Sequence, residues 1–268
     1  MSDFLQTMAV SSAERAAAAV RPTSADLDKP VVPLVLGSFD VIAEIKDRSP
    51  AEGDLAAEDS NRTEQAQRYM DGGAAAISVL TEPSRFSGSL THLEEVVAAA
   101  PNTPVMRKDF LIDPVQILEA RVSGASGVLL IVAMLSDDKI RAMLDCAGEH
   151  GMFVVLESFD SEDLIRASRL LHSSTDRERA ENGQLLFGVN TRNLRTLHVD
   201  PDRLANLAAA LPAARCVAES GLYDADDAAT AAGLGYRLAL VGTALMRCDD
   251  PASLIRAMRK AGSGRVLA

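Results

Sequence analysis

Positive charge is in short supply: 27 Lys and Arg face 38 Asp and Glu across 268 residues, a formal net charge of −11. Neutralising nucleic-acid phosphates or an anionic membrane takes a basic surface. Neither is therefore expected as a partner, and any phosphate bound must be small and held locally. Cysteine is scarce too. Cys146, Cys216 and Cys248 are odd in number and show no CxxC spacing, which supports neither a disulfide framework nor a zinc site and fits reduced thiols in the cytoplasm. The four histidines, His92, His150, His172 and His198, lack metal-ligand spacing, so no metal is implied. Apolar runs are short. The longest, Val128 to Leu135, falls far below the roughly 20 residues a spanning helix needs, and Met1-Ser2-Asp3-Phe4 carries no basic stretch ahead of an apolar one. Neither export nor membrane insertion is expected.

What is present is a globular composition, 47% hydrophobic and 24% charged, enough for a sizeable core. From about residue 41, short runs rich in Val, Ile, Leu and Ala alternate with longer segments whose apolar residues recur at helical spacing. Strands are predicted at Val41 to Lys46, Ala75 to Val79, Pro104 to Arg107, Gly127 to Val132, Met152 to Leu156, Leu185 to Val189, Arg215 to Ala218 and Leu238 to Val241. A helix follows each. The strands are continuous apolar runs, as in parallel sheets covered on both faces, and eight such units can close into a (β/α)₈ TIM barrel. Pro114, Pro201 and Pro251, each after an Asp, read as helix first turns, and Gly72-Gly73, Gly124, Gly151 and Gly233 as helix stops. Residues 1–40 form an extra N-terminal helix, Asp3 to Val20, and a Pro-containing linker; residues 41–268 form the barrel, and the whole is read as one domain. The polar stretch His172 to Gln184 shows no apolar period and is expected to be a mobile loop away from the site.

Barrel active sites lie at the carboxyl ends of the strands. There the sequence places Glu44, Lys46 and Ser49; then Phe86; Lys108 and Phe110; Glu157; Asn190 and Arg192; Glu219 and Ser220; and finally Gly242 and Thr243. Any one Lys or Glu is ordinarily a solvated surface residue. A convergent set of basic groups, carboxylates and an Asn directly after apolar strands is not explained by stability. Glu219-Ser220-Gly221-Leu222 and Val241-Gly242-Thr243-Ala244 sit where many barrels hold a phosphate with backbone N–H groups, and Ser49 and Arg192 could complete its shell. Phe86 and Phe110, in loops after strands, form either an apolar slot for a planar ring or a plug of the barrel top.

Several segments, in order along residues 41 to 247, resemble the indole-3-glycerol-phosphate synthase family. They are Ala43-Glu44-Ile45-Lys46 with Ser49-Pro50, Ile77-Ser78-Val79-Leu80-Thr81-Glu82, Phe86-Ser87-Gly88-Ser89, Arg107-Lys108-Asp109-Phe110, Leu129-Leu130-Ile131-Val132, Gly188-Val189-Asn190 with Arg192-Asn193-Leu194, Ala218-Glu219-Ser220-Gly221, and Val241 to Arg247. The resemblance implies a decarboxylating lyase of tryptophan biosynthesis. It would close 1-(2-carboxyphenylamino)-1-deoxyribulose 5-phosphate to the indole product with no organic cofactor or metal. By that resemblance Lys108 is the ring-closing general acid, and Glu157 and Lys46 are the acid/base pair of dehydration. Glu44, Asn190 and Glu219 position the anthranilate part; Ser49, Arg192, Ser220, Gly221, Gly242 and Thr243 hold the phosphate; Leu194 joins the phenylalanines against the ring. Other tryptophan-pathway enzymes are candidate partners. Ala51, Ser158-Phe159 and Thr191 depart from the family's common residues, which bears on substrate fit more than on reaction type. The rival readings are a Schiff-base aldolase using Lys46 or Lys108 as nucleophile, and a catalytically silent barrel acting as a binding partner.

Overall fold

A computed structural model describes residues 4–49, 53–54 and 61–265. The eight strands are β1 (Asp40–Ile45), β2 (Ala76–Leu80), β3 (Val105–Lys108), β4 (Gly127–Ile131), β5 (Phe153–Ser158), β6 (Leu185–Asn190), β7 (Cys216–Glu219) and β8 (Leu238–Val241). Each pairs in parallel with the next, and β8 pairs with β1, closing the barrel. The helices are α1 (Phe4–Ala18), α2 (Arg62–Asp71), α3 (Pro83–Phe86), α4 (Leu90–Ala99), α5 (Pro114–Val122) and α6 (Asp137–Glu149), then α7 (Ser161–Ser168), α8 (Ser174–Glu181), α9 (Arg203–Leu207), α10 (Ala225–Gly233), α11 (Thr243–Arg247) and α12 (Pro251–Ser263). No described helix is long and apolar enough to cross a membrane.

Alternation along each strand divides the core in two. In β1, Val41, Ala43 and Ile45 pack outwards with helix residues such as Tyr69, Leu93 and Ile255, whereas Ile42 points into the barrel. The interior is filled by Ile42, Met106, Leu129, Val155, Leu186, Val217, Leu238 and Leu240, so the barrel is packed rather than hollow over most of its height. The same parity, carried to the carboxyl ends, turns Glu44, Lys108, Glu157, Asn190 and Glu219 inwards.

Local chemistry explains most element ends. Asp113 caps α5 by accepting from Val115 N (2.9 Å), and Gln116 returns the contact to Asp113 N, with Pro114 in the first turn. Asp250 caps α12 by accepting from Ser253 N (3.0 Å), and Pro251 stands in its first turn. Pro201 does not: it lies in a turn, and α9 starts only at Arg203. Gly73, Gly124 and Gly151 take left-handed backbones after their helices, but Gly233 ends α10 as a helical residue and Gly235 makes the left-handed turn instead.

The stretch expected as a mobile loop is helical. Ser173 caps α8, Arg179 pairs with Asp176 one turn earlier (2.9 Å) and with Asp145 on α6 (3.0 Å), and Ala180 is its buried apolar residue. A helix held by ion pairs and one buried methyl has no apolar period to read.

The N-terminal extension spans the barrel from mouth to floor. Leu5 and Met8 of α1 are buried beside the interior cluster, and Gln116 donates to Ser12 Oγ (2.9 Å). Leu34 and Leu36 of the linker then pack on the same cluster, and Val32 N donates to Ser126 Oγ ahead of β4.

Candidate active site

The top interior layer is polar. Glu44, Lys108, Glu157 and Glu219 come one from each odd-numbered strand, the arrangement by which alternate strands build a layer in such barrels. Most of these residues lie within the last positions of their strands rather than after them, because the strands run one or two residues further than apolar pattern alone indicates. The Lys108 ammonium stands 3.5 Å from Glu44 Oε2, 3.7 Å from Glu219 Oε2 and 3.9 Å from Glu157 Oε2. Lys46 Nζ is closer to Glu44 Oε1, at 3.1 Å. Asn190 donates to Glu157 Oε1 (3.1 Å) and accepts from Arg192 N (2.9 Å), so one amide orients a carboxylate and the loop that follows β6.

Burial and neighbouring charge act oppositely across this layer. Burial alone would discharge Lys108, but Glu44, Glu157 and Glu219 outweigh it and hold the ammonium above its ordinary range. Burial would likewise protonate Glu44, yet Lys46 and Lys108 keep its carboxylate below the usual value. Glu219 goes the other way. Burial first, and the adjacent Glu157 second, push it well above the carboxylate range against the pull of Lys108. Neither Glu219 oxygen has a hydrogen-bond partner. The layer therefore favours the charged forms of Lys108 and Glu44 and the neutral form of Glu219.

Above the layer opens a cavity of about 1060 Å³, counted with its mouth, lined by both lysines, Glu44, Glu157, Asn190, Arg192, Phe86, Phe110, Leu194, Ser220, Gly221, Gly242 and Thr243. Every anticipated site residue faces it except Glu219, which lies beneath Lys108, and Ser49, whose side chain lies outside the described residues together with Pro50 and Ala51. Phe86 is not in a loop: it ends α3, whose N–H groups at Ser84, Arg85 and Phe86 all donate to the buried carboxylate of Glu82. Ser220 and Gly221 are consecutive left-handed residues (φ 66° and 72°), a sharp turn after β7. Gly242 precedes α11 with no side-chain cap on that helix. Phe159 lies under the Arg195 guanidinium at 4.9 Å and supports the loop carrying Arg192 and Leu194.

Phe4 and Arg15, both on α1, escape a strand-end reading, and apolar residues of β4 join the wall. Phe4 of α1 lines the cavity and meets Phe110 edge to face at 5.9 Å, while Phe86 lies 6.1 Å from Phe110 on the other side. Leu129 and Ile131 supply the apolar wall from β4. Arg15, also on α1, grips Asp109 with two bonds of 2.8 Å, and Asp109 Oδ2 further accepts from Thr81 Oγ1 and Arg107. An amphipathic helix ahead of the first strand signals an extra element but not what its ends touch. Among the described residues no group of His, Cys, Asp or Glu is arranged to hold a metal ion.

A closed barrel whose mouth joins lysines to carboxylates, with an aromatic wall on one side and glycine turns on the other, defines a (β/α)₈ acid–base enzyme. Solved structures agree on the fold. 3-Hexulose-6-phosphate synthase from Salmonella typhimurium superposes with a TM-score of 0.63 at 18% identity, covering 85% of this chain and all of that one. Phosphoribosylanthranilate isomerase from Thermotoga maritima gives 0.55 at 13% identity, covering 84% and 99%. The family model for indole-3-glycerol phosphate synthase matches residues 10–258, and the chain belongs to that family. A relative of that name from Nocardioides sp. is 42% identical over 267 residues, 96% of this chain and 97% of its own. Another from Rhodococcus opacus is 38% identical over 253 residues, 94% and 88%.

Proposed function

We propose that the barrel mouth performs the family's reaction on 1-(2-carboxyphenylamino)-1-deoxyribulose 5-phosphate with Lys108 as the ring-closing acid. The observation that carries this is the Lys108 ammonium itself, held charged among the carboxyl groups of Glu44, Glu157 and Glu219 yet no closer than 3.5 Å to any. At such distances its protons are not committed to short hydrogen bonds, so it can donate to a substrate oxygen. The anthranilate ring rests on Phe110 and Phe86 with Leu194 beside them. Ser220, Gly221, Gly242, Thr243 and Arg192 hold the phosphate at the opposite wall, with Ser49 reaching it from the β1 side. Between these anchors the ring carbon attacks the ketone, and charge growing on its oxygen is stabilised and protonated by Lys108. Loss of carbon dioxide restores aromaticity. Loss of water then needs one proton removed and one delivered to the leaving hydroxyl, served by Glu157 and Lys46 as an acid/base pair. Glu44, Asn190 and Glu219 hold these groups in place.

A Schiff-base aldolase is disfavoured because an imine requires a neutral amine, and the field at Lys108 favours the ammonium. The three cysteines are free thiols, which supports a cytoplasmic setting. The grip of Arg15 on Asp109 supports reading extension and barrel as one domain, and other tryptophan-pathway enzymes remain the partners we propose.

The test is indole fluorescence on adding the substrate. Wild type forms product. Lys108→Ala loses turnover by at least about 10²-fold, the scale of a removed general acid, while still binding substrate. Borohydride with substrate leaves the protein mass unchanged. A folded wild type without product, or a lysine adduct, refutes the reading.

A further inference from the structure

At two inward positions without a side chain, one on β6 and one just past β8, charged groups from neighbouring strands fill the space. Gly188 faces the lumen from β6, between the inward residues Leu186 and Asn190. A methyl built there would lie 2.0 Å from Glu219 Oε1 and 3.2 Å from both Glu219 Cδ and Val155 Cγ1. At Gly242, just past β8, it would lie 2.4 Å from Glu44 Oε1 and 3.0 Å from Lys46 Nζ. Neither glycine is required by backbone conformation. Gly188 sits in a regular strand outside the left-handed set, and Gly242 has φ −117°. Space is the property in use.

We propose that Gly188 is a positioning residue of the reaction: its missing side chain forms the seat that holds the Glu219 carboxyl against β6, beside Glu157 and below Lys108. This rests on reading Lys108 and Glu157 as reacting groups. The seat matters because the other close neighbours of Glu219 are only the titratable groups of Glu157 and Lys108. Its two oxygens have no hydrogen-bond partner, and Lys108 Nζ is 3.7 Å from the nearer one. To reach ordinary contact with a methyl at position 188, Oε1 must retreat by more than about 1 Å. The displacement is away from β6. A Glu219 carboxyl pushed from its seat shifts against Glu157 and against Lys108, whose ammonium stands 3.7 Å from Oε2, and misplaces the two groups that meet the substrate. What yields is the far end of a flexible side chain rather than backbone, so the change strikes chemistry before fold.

The experiment compares wild type, Gly188→Ala, Glu219→Asp and the double variant by turnover, thermal unfolding and crystal structure. Gly188→Ala is expected to stay folded and to lose at least about tenfold in kcat with a smaller change in KM. Asp is one methylene shorter and draws the carboxyl back from the new methyl. The double variant should therefore exceed the product of the two single effects by about tenfold or more. A purely structural role for Gly188 would give no such rescue. Full activity in Gly188→Ala, or simple multiplication in the double variant, overturns the proposal. Should Gly188→Ala fail to fold, refolding on adding Glu219→Asp supports the seat and failure of both overturns it. The crystal structure separates the two readings. A displaced Glu219 carboxyl in Gly188→Ala upholds the seat even where wild type does not turn over this substrate, and that inactivity counts against the functional reading alone.

Discussion

Arg15→Ala removes a guanidinium that reaches 94 residues along the chain to hold Asp109 with two hydrogen bonds of 2.8 Å. The Asp109 side chain is fully buried and Arg15 is 26% exposed. Leaving a buried charge without its partner costs about 3–5 kcal/mol. Here Asp109 keeps Arg107 at 3.0 Å, Thr81 at 2.7 Å and the Phe110 N–H at 2.8 Å, so the loss falls to about 1.5–3 kcal/mol. At roughly 2–4 °C per kcal/mol for a chain of this size, Tm should drop by about 3–12 °C in calorimetry at pH 7. The pH dependence has a definite sign. Burial raises the Asp109 carboxyl, but Arg15, Arg107 and Thr81 outweigh it and hold it below the usual carboxylate range. Stability from this pair is thus present above the unfolded value near 4 and lost as pH falls through the folded one, so the gap between wild type and variant should narrow with acid. Because Asp109 lies between Lys108 and Phe110, and Phe4 shares its helix with Arg15, KM should rise as well. Arg15→Lys should recover only part, since a point charge cannot make both bonds. A Tm within about 1 °C of wild type at pH 7, or a gap undiminished at pH 3, would refute this account of what holds the extension down.

Glu219→Gln should reduce turnover yet stabilise the protein at alkaline pH. The native carboxyl is raised, so wild-type stability falls as pH climbs from the unfolded value towards the folded one, and the amide has no proton to lose; Tm of the two proteins against pH from 5 to 9 should diverge upwards. Asp163, at the start of α7, is pushed up to about 6 by burial and by Asp160, against Arg195 and Arg166, and its Oδ2 is buried without a partner. Asp163→Asn should therefore raise Tm at pH 7 and lose that advantage by pH 4; equal melting at both pH values would sink the argument.

Strand count, strand order and the residues at strand ends were legible because each barrel unit advertises itself locally: an apolar run, a helical period and a cap. Glu44, Lys108, Glu157 and Asn190, which line one cavity, could be named as candidate site residues for that reason. Helix α8 was not legible, since Asp145, its ion-pair partner on α6, lies 34 residues from Arg179 and its apolar content is one methyl. Nor were Phe4 and Arg15, whose meaning depends on where α1 comes to rest.

Alternation along strands is a property of the chain, and by itself it determined that a ring of charged groups would crown a packed parallel barrel. It could not decide how those groups share charge. Glu219 and Glu44 look alike in sequence, each a glutamate at or next to the end of its strand. Only closure of the barrel sets Glu44 between two lysines and Glu219 over Gly188 beside another carboxylate, so that one holds its proton less tightly and the other more tightly than an ordinary glutamate. Distances across the lumen create that difference, and they exist only once the first strand meets the eighth.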